Sequence, residues 1–121
     1  MLRTSASRVL DDSDREEVLR ILDADPIANV FVASRVRAVG LSPPRLGGQM
    51  WGYGSRGELT ALCYAGANLV PVNAGPDAIN AFAERARRQG RRCSSIVGPA
   101  HAVEMLWERL EPYWGPARAI R

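Results

Sequence analysis

The sequence predicts an α/β domain of the α+β type, in which a mixed sheet with an antiparallel meander carries about four helices. Three observations predict it. Short apolar runs at Gln49 to Tyr53, Glu58 to Tyr64 and Asn68 to Val72 follow one another across glycine-bearing turns, the pattern of a meander. Elsewhere apolar residues recur at helical spacing, as Ile79, Phe82, Ala83 and Ala86 do at i, i+3, i+4 and i+7. With 121 residues, 46% of them hydrophobic, the chain can bury one ordinary core, and its length calls for no second domain.

Taken in order, Thr4 to Leu10 is a β pattern, and Asp11-Asp12-Ser13-Asp14 supplies N-cap oxygens and first-turn acids for a helix. Val18, Leu19, Ile21 and Leu22 are its buried face. Asp25-Pro26 ends that helix and opens another, because Pro is tolerated at the first helical position behind a capping Asp. Ile27, Val30 and Phe31 give the second helix its apolar stripe, and Gly40 stops it. Leu41 to Gly48, with Pro43-Pro44 and Gly47-Gly48, reads as an irregular connection. The meander turns at Gly54-Ser55-Arg56-Gly57 and at Ala65-Gly66-Ala67. A helix opens near Pro76 and stops at Gly90, and Cys93 to Val97 is a short buried strand. Gly98-Pro99 opens a last helix with Val103, Leu106, Trp107 and Leu110 at the same spacing. Ala117 to Arg121 begins another strand, so the last strands of the sheet are incomplete.

Composition excludes several classes. No apolar run approaches the ~20 residues of a membrane span, and Met1 to Arg8 lacks the apolar stretch of a signal peptide, so the expectation is a cytoplasmic protein. Cys63 and Cys93 lie in apolar strand patterns without CxxC spacing, which points to reduced core residues and not to a metal or redox pair. The net charge of +3 comes from sixteen arginines and no lysine. Without lysine there is no Schiff-base nucleophile and no P-loop, and any anion must be met by Arg forks or backbone N–H groups.

The order β-α-α-β-β-β-α-β-α-β resembles the GNAT acetyltransferase fold over nearly the whole chain. More narrowly, three runs resemble one group: Ala24-Asp25-Pro26-Ile27-Ala28-Asn29-Val30-Phe31, Leu62-Cys63-Tyr64-Ala65-Gly66-Ala67-Asn68-Leu69-Val70-Pro71-Val72 and Arg92-Cys93-Ser94-Ser95-Ile96-Val97-Gly98. That group is the GNAT-like N-terminal domain of unknown function that precedes a catalytic GNAT domain in some bacterial acetyltransferases. The resemblance implies a partner, a catalytic GNAT domain C-terminal to Arg121, and acetyl-CoA as the cofactor of the full-length protein. It leaves a homodimer open.

The superfamily holds acetyl-CoA on a loop of pattern Gln/Arg-x-x-Gly-x-Gly/Ala after the fourth strand. There the glycines admit the pyrophosphate to the backbone, and the next helix N-terminus stabilises its charge. Over Val72 to Ala78 this chain reads Val-Asn-Ala-Gly-Pro-Asp-Ala. The matching positions are Asn73, Ala74 and Gly75, but Pro76 removes a donor and Asp77 brings a carboxylate to the place of the ligand's own charge. Gly75 as N-cap, Pro76 at the first helical position and Asp77 as a first-turn acid explain the same residues without a ligand. The expectation is therefore that this chain alone takes no cofactor.

Other motifs have similar structural readings. Gly52-Tyr53-Gly54-Ser55-Arg56-Gly57 matches GxGxxG, yet a strand follows it where a dinucleotide fingerprint needs a helix, so its glycines read as turn residues. His101, the only histidine, sits in the first turn of the last helix, where it could serve as a general base but has no identifiable nucleophile beside it. Tyr113 matches in type the tyrosine general acid that the resemblance implies, although it follows Pro112, beyond the helical run. Glu58 is the acid of the central strands, and alternation with Leu59 and Ala61 turns it to solvent. Arg85, Arg87, Arg88, Arg91 and Arg92 could draw RNA or the 3′-phosphate of coenzyme A. No aromatic residue interleaves with them, and Glu84 is placed to pair with Arg88, so a solvated helix face is the reading. The sequence thus favours a non-catalytic GNAT-like domain that shapes the acceptor cleft of a catalytic half. The alternatives are a self-sufficient acetyl-CoA-dependent acyltransferase and an arginine-based anion or nucleic-acid module.

Overall fold

A computed structural model describes residues 6–115. The elements are β1 (Ser7–Val9), a 3-10 turn (Asp12–Asp14), α1 (Arg15–Asp23), α2 (Val30–Val39), α3 (Pro43–Leu46), β2 (Gln49–Ser55), β3 (Glu58–Ala65), β4 (Asn68–Val72), α4 (Pro76–Gln89), β5 (Ser95–Ile96) and α5 (Ala100–Trp114). The strands form one five-stranded sheet in the order β1-β2-β3-β4-β5. The pairs from β1 to β4 are antiparallel, and β5 joins β4 in parallel. The predicted strand over Ala117 to Arg121 lies outside the described residues.

The sheet separates two cores. On one face Leu10, Met50, Leu62 and Val72 pack against Val18, Ile21 and Leu22 of α1 and Val32, Ala33 and Val36 of α2. On the other, Trp51, Ala61 and Cys63 pack against Phe82 of α4 and Leu106 and Leu110 of α5, with Trp107 and Trp114 partly buried beside them. Trp51 and Phe82 are in tilted contact, their ring centroids 6.4 Å apart.

Strand alternation breaks once, at a bulge. Tyr53 opposes Ala61 and Gly54 opposes Leu59, which leaves Thr60 as the extra residue on β3. Leu59 therefore joins the α1–α2 core while Ala61 joins the opposite one, against the strict alternation expected from sequence. Side chains meet three backbone groups around the bulge. Glu17 Oε2 accepts from the Leu59 N–H at 2.6 Å, the Thr60 hydroxyl donates to the Tyr53 carbonyl, and Asn73 Nδ2 donates to the Thr60 carbonyl at 2.9 Å.

Several local expectations need correction. Residues 24–29 are turns, and the second helix starts at Val30, not Pro26. It buries Val32, Ala33 and Val36, while the expected stripe is exposed: Ile27 86%, Val30 61% and Phe31 74%. Apolar side chains surround this helix, so spacing alone could not choose the buried face. Asn29 Nδ2 donates to the Leu22 carbonyl and Arg37 pairs with Asp23, contacts that hold α2 against α1. The connection at Leu41 to Gly48 contains the short α3, closed by Gly47 at φ +83°. The strand expected at Cys93 is only Ser95–Ile96, and Cys93 lies half-buried before it. Leu19 is half-buried, not fully buried, and Tyr113 is inside α5, which continues through Pro112 to Trp114.

The opening acids do more than cap. Asp11 and Asp14 form a reciprocal capping box around the 3-10 turn, and Asp14 also takes two hydrogen bonds from the Arg8 guanidinium. Those bonds hold the Asp14 carboxyl below the usual carboxylate range. Asp12 Oδ1 accepts from the Leu41 N–H at 2.7 Å, tying the start of α1 to the end of α2.

Candidate functional site

The parallel pair β4–β5 covers only Asn68 opposite Ser95 and Leu69 opposite Ile96, after which the strands part. The opening forms a cleft of about 610 Å³ at the carboxyl ends of β4 and β5, where open α/β sheets bind ligands. Ile21, Asp25 and Asn29 close it from the α1–α2 side, and Pro71, Val97 and Pro99 line it from the sheet. The Val97 N–H donates to the Leu69 carbonyl, so that edge of β4 faces β5. Two residues on, Pro71 brings its backbone to the same edge, and proline has no N–H to offer a guest. Gly98 at φ +153° runs beside it, and a Cβ there would sit 3.6 Å from the Pro71 carbonyl and ring. The polar side chains of the cleft are engaged within the chain. Asp25 accepts from the Ala28 N–H, and Asn29 is bound to Leu22.

The loop that follows β4 holds the cofactor candidates Asn73, Ala74 and Gly75. Asn73 adopts the left-handed conformation, φ +54°, and its side chain is tied to the bulge at Thr60. Ala74 packs against the α4–α5 core. Gly75 caps α4 at φ −86° and ψ −174°, with Pro76 first in the helix and Asp77 in its first turn. A Cβ on Gly75 would meet nothing within 4 Å, so no close approach in the chain requires glycine there. The first backbone bond of α4 runs from the Ile79 N–H to the Gly75 carbonyl, which leaves the N–H groups of Asp77 and Ala78 as the free donors of the first turn. The Asp77 carboxylate stands among them, beside a depression that Tyr53, Thr60 and Asn73 share.

The remaining candidates do not converge. Glu58 is exposed at the start of β3, and His101 is exposed in the first turn of α5. Tyr113 is twelve residues beyond His101 on the same helix, roughly 18 Å along its axis, so the two cannot act on one group. None of the three lines the cleft. Both thiols are pushed up by burial, which suppresses the thiolate. Among the described residues no group of three or more His, Cys, Asp or Glu side chains is placed to hold a metal ion. The GxGxxG glycines lie in β2 and its hairpin turn. A Cβ at Gly52 would come within 2.9 Å of Leu10 and Leu59, and Gly54 takes φ +121° at the bulge.

Arg87, Arg88, Arg91 and Arg92 are exposed, as a solvated face requires, and the run also meets aromatic rings. Arg85 is half-buried, donates to the hydroxyl and carbonyl of Ser7 at 2.7 and 2.6 Å, and lies over Trp51. Arg87 lies 4.7 Å from the Tyr113 ring centre, Arg91 lies over Trp114, and Arg88 stands 3.9 Å from Glu84. The aromatic partners come from α5, thus from a segment that local sequence cannot associate with the run. Four of the five arginines are engaged within the chain, and Arg92 faces a second cavity under the C-terminal turn of α4. That cavity was missed in the sequence because its walls come from the start of β2, the end of α4 and the end of α5.

No helix among the described residues is long and apolar enough to cross a membrane. Residues 48–121 match the model of a family described as a domain of unknown function (DUF4081). No curated protein and no solved structure matches the chain.

Proposed function

We propose that this chain, which belongs to the DUF4081 family, is the non-catalytic GNAT-like N-terminal domain of a GNAT-family N-acetyltransferase. In this reading it packs on a catalytic GNAT domain joined C-terminal to Arg121 and shapes the acceptor cleft, while acetyl-CoA binds the catalytic half. The observation that carries the reading is the state of the β4 to α4 junction. It has the position of an anion site but keeps only the Asp77 and Ala78 N–H groups as free donors. Pro71 and Pro76 lack N–H groups, Asp77 opposes an anion, and the Asn73 amide is occupied at the bulge. A second support is the apolar surface of Ile27, Val30 and Phe31 beside the cleft, large side chains that gain from being covered by another domain.

Calorimetry of the isolated chain with acetyl-CoA tests the proposal, with no saturable heat as the expected result. Gly75→Val is a clean control, since open space surrounds that position. Micromolar binding by the natural chain, weakened by Gly75→Val, overturns the reading in favour of a self-sufficient acetyltransferase. In the full-length protein, Phe31→Asp is expected to weaken the association of the two halves, read as increased hydrogen exchange over α2.

A further inference from the structure

At the end of the sheet opposite the cleft, the second cavity encloses about 350 Å³. Its floor is Trp51, Leu69 and Ala86, and its walls include the indole of Trp114. The backbone around its mouth is tightly set, since a Cβ on Gly48 would come within 2.5 Å of the Ala65 carbonyl. Arg91 fixes the Trp114 side of the wall, lying over the ring and donating to the Trp114 carbonyl at 3.3 Å.

Among the side chains of the cavity, donors outnumber acceptors, Gln89 Oε1 being the acceptor left over. Gln49 Oε1 accepts from both Trp51 Nε1 at 2.9 Å and Gln89 Nε2 at 3.0 Å, so its acceptor capacity is filled and its amide N–H groups remain. Trp114 Nε1 is buried with no hydrogen-bond partner among the described residues, and it is closed off from the cavity space. Arg92 lines the cavity without an ion pair to any described carboxylate, and no Asp or Glu is part of the lining. Flat apolar walls with a cation and spare N–H donors match a small aromatic carboxylate. We infer that this cavity is a binding site for such a ligand, its ring against the indoles and its carboxylate answering Arg92 and the Gln49 amide. The site is separate from the β4–α4 junction and does not depend on the role proposed for the domain.

The test is calorimetry of the chain with benzoate and phenylacetate, set against benzamide as the neutral analogue and benzylamine as the cation. Cys93, half-buried on the cavity wall, gives an independent readout through its rate of alkylation, mapped by mass spectrometry. The expected result is saturable one-site binding of the carboxylates, slower alkylation of Cys93 when they are bound, benzamide roughly 10-fold weaker and no binding of benzylamine. Arg92→Gln is expected to erase the preference for carboxylate over amide. Ala86→Leu, which fills the floor, is expected to abolish binding with the chain still folded. Should that variant not fold, Gln49→Glu puts a like charge beside the proposed carboxylate and is expected to weaken the carboxylates several-fold while sparing benzamide. Absence of saturable heat at millimolar ligand, or a benzamide affinity equal to that of benzoate, overturns the assignment.

Discussion

On one face of the sheet, carboxylates hold backbone in place: Asp12 takes the Leu41 N–H, Asp14 takes Asp11 and Arg8, and Glu17 takes Leu59. On the other face, guanidinium groups lie over rings: Arg85 on Trp51, Arg87 on Tyr113 and Arg91 on Trp114. The first arrangement consumes its acceptors inside the fold. On the second face Arg92 and the Gln49 amide N–H groups line a cavity that holds no carboxylate among the described residues. The cleft on the α1–α2 side thus has its amide side chains tied within the chain and a carboxylate at Asp25, whereas the smaller cavity on the α4–α5 side has donors and a cation. Size is a poor guide to function here, and the state of the polar groups is a better one.

The comparison predicts that substitutions on the acidic side cost stability and that those at the cavity cost binding. The largest effect is expected for Asp14→Asn, about 3 kcal/mol in denaturant unfolding, because its side chain is only 4% exposed and its loss strands Arg8. This contribution has a defined pH dependence. The folded carboxyl titrates below its unfolded value of about 3.9, so the stabilisation is complete above that pH and lost as the pH falls through the lower folded value. The stability difference between the natural chain and Asp14→Asn should accordingly shrink below about pH 4.

Glu17→Ala should cost roughly 1–3 kcal/mol by leaving the bulged Leu59 N–H without its acceptor, and Glu17→Gln should recover much of that in urea titrations. Asn73→Ala is expected to lose about 1 kcal/mol, and Asn73→Gly less, since glycine accepts the left-handed backbone. The smallest change is expected for Arg92→Gln, within about 0.5 kcal/mol of the natural stability. An Arg92→Gln loss as large as that of Glu17→Ala would erase the distinction between the two faces.

What the sequence made legible follows from the range of its signals. The meander, the helix of Ile79, Phe82 and Ala86, and the caps at Gly75-Pro76 and Gly90 depend on local spacing, and they stand where expected. The buried face of α2 does not, because its apolar residues circle the helix and tertiary contacts such as Asn29 with Leu22 and Asp12 with Leu41 hold the face that packs. The phase change at Thr60 is likewise invisible to alternation. Gly54 was its single trace, and that glycine also suited a turn. Among candidate site residues, Asn73 through Asp77 were legible as a helix start, but the tie from Asn73 to a strand thirteen residues earlier was not. Gln49, Gln89 and Trp114 carry no shared motif, since only the closed fold brings them to one cavity.

All three tryptophans, Trp51, Trp107 and Trp114, belong to the α4–α5 side of the sheet. Intrinsic fluorescence of this protein is consequently an optical report on one half of its interior, whereas far-ultraviolet circular dichroism registers the helices of both. If the chain unfolds in one cooperative step, the two signals must follow a single curve. If α1 and α2 loosen first, ellipticity falls while emission holds, and the tryptophans become a natural control against which partial melting can be timed.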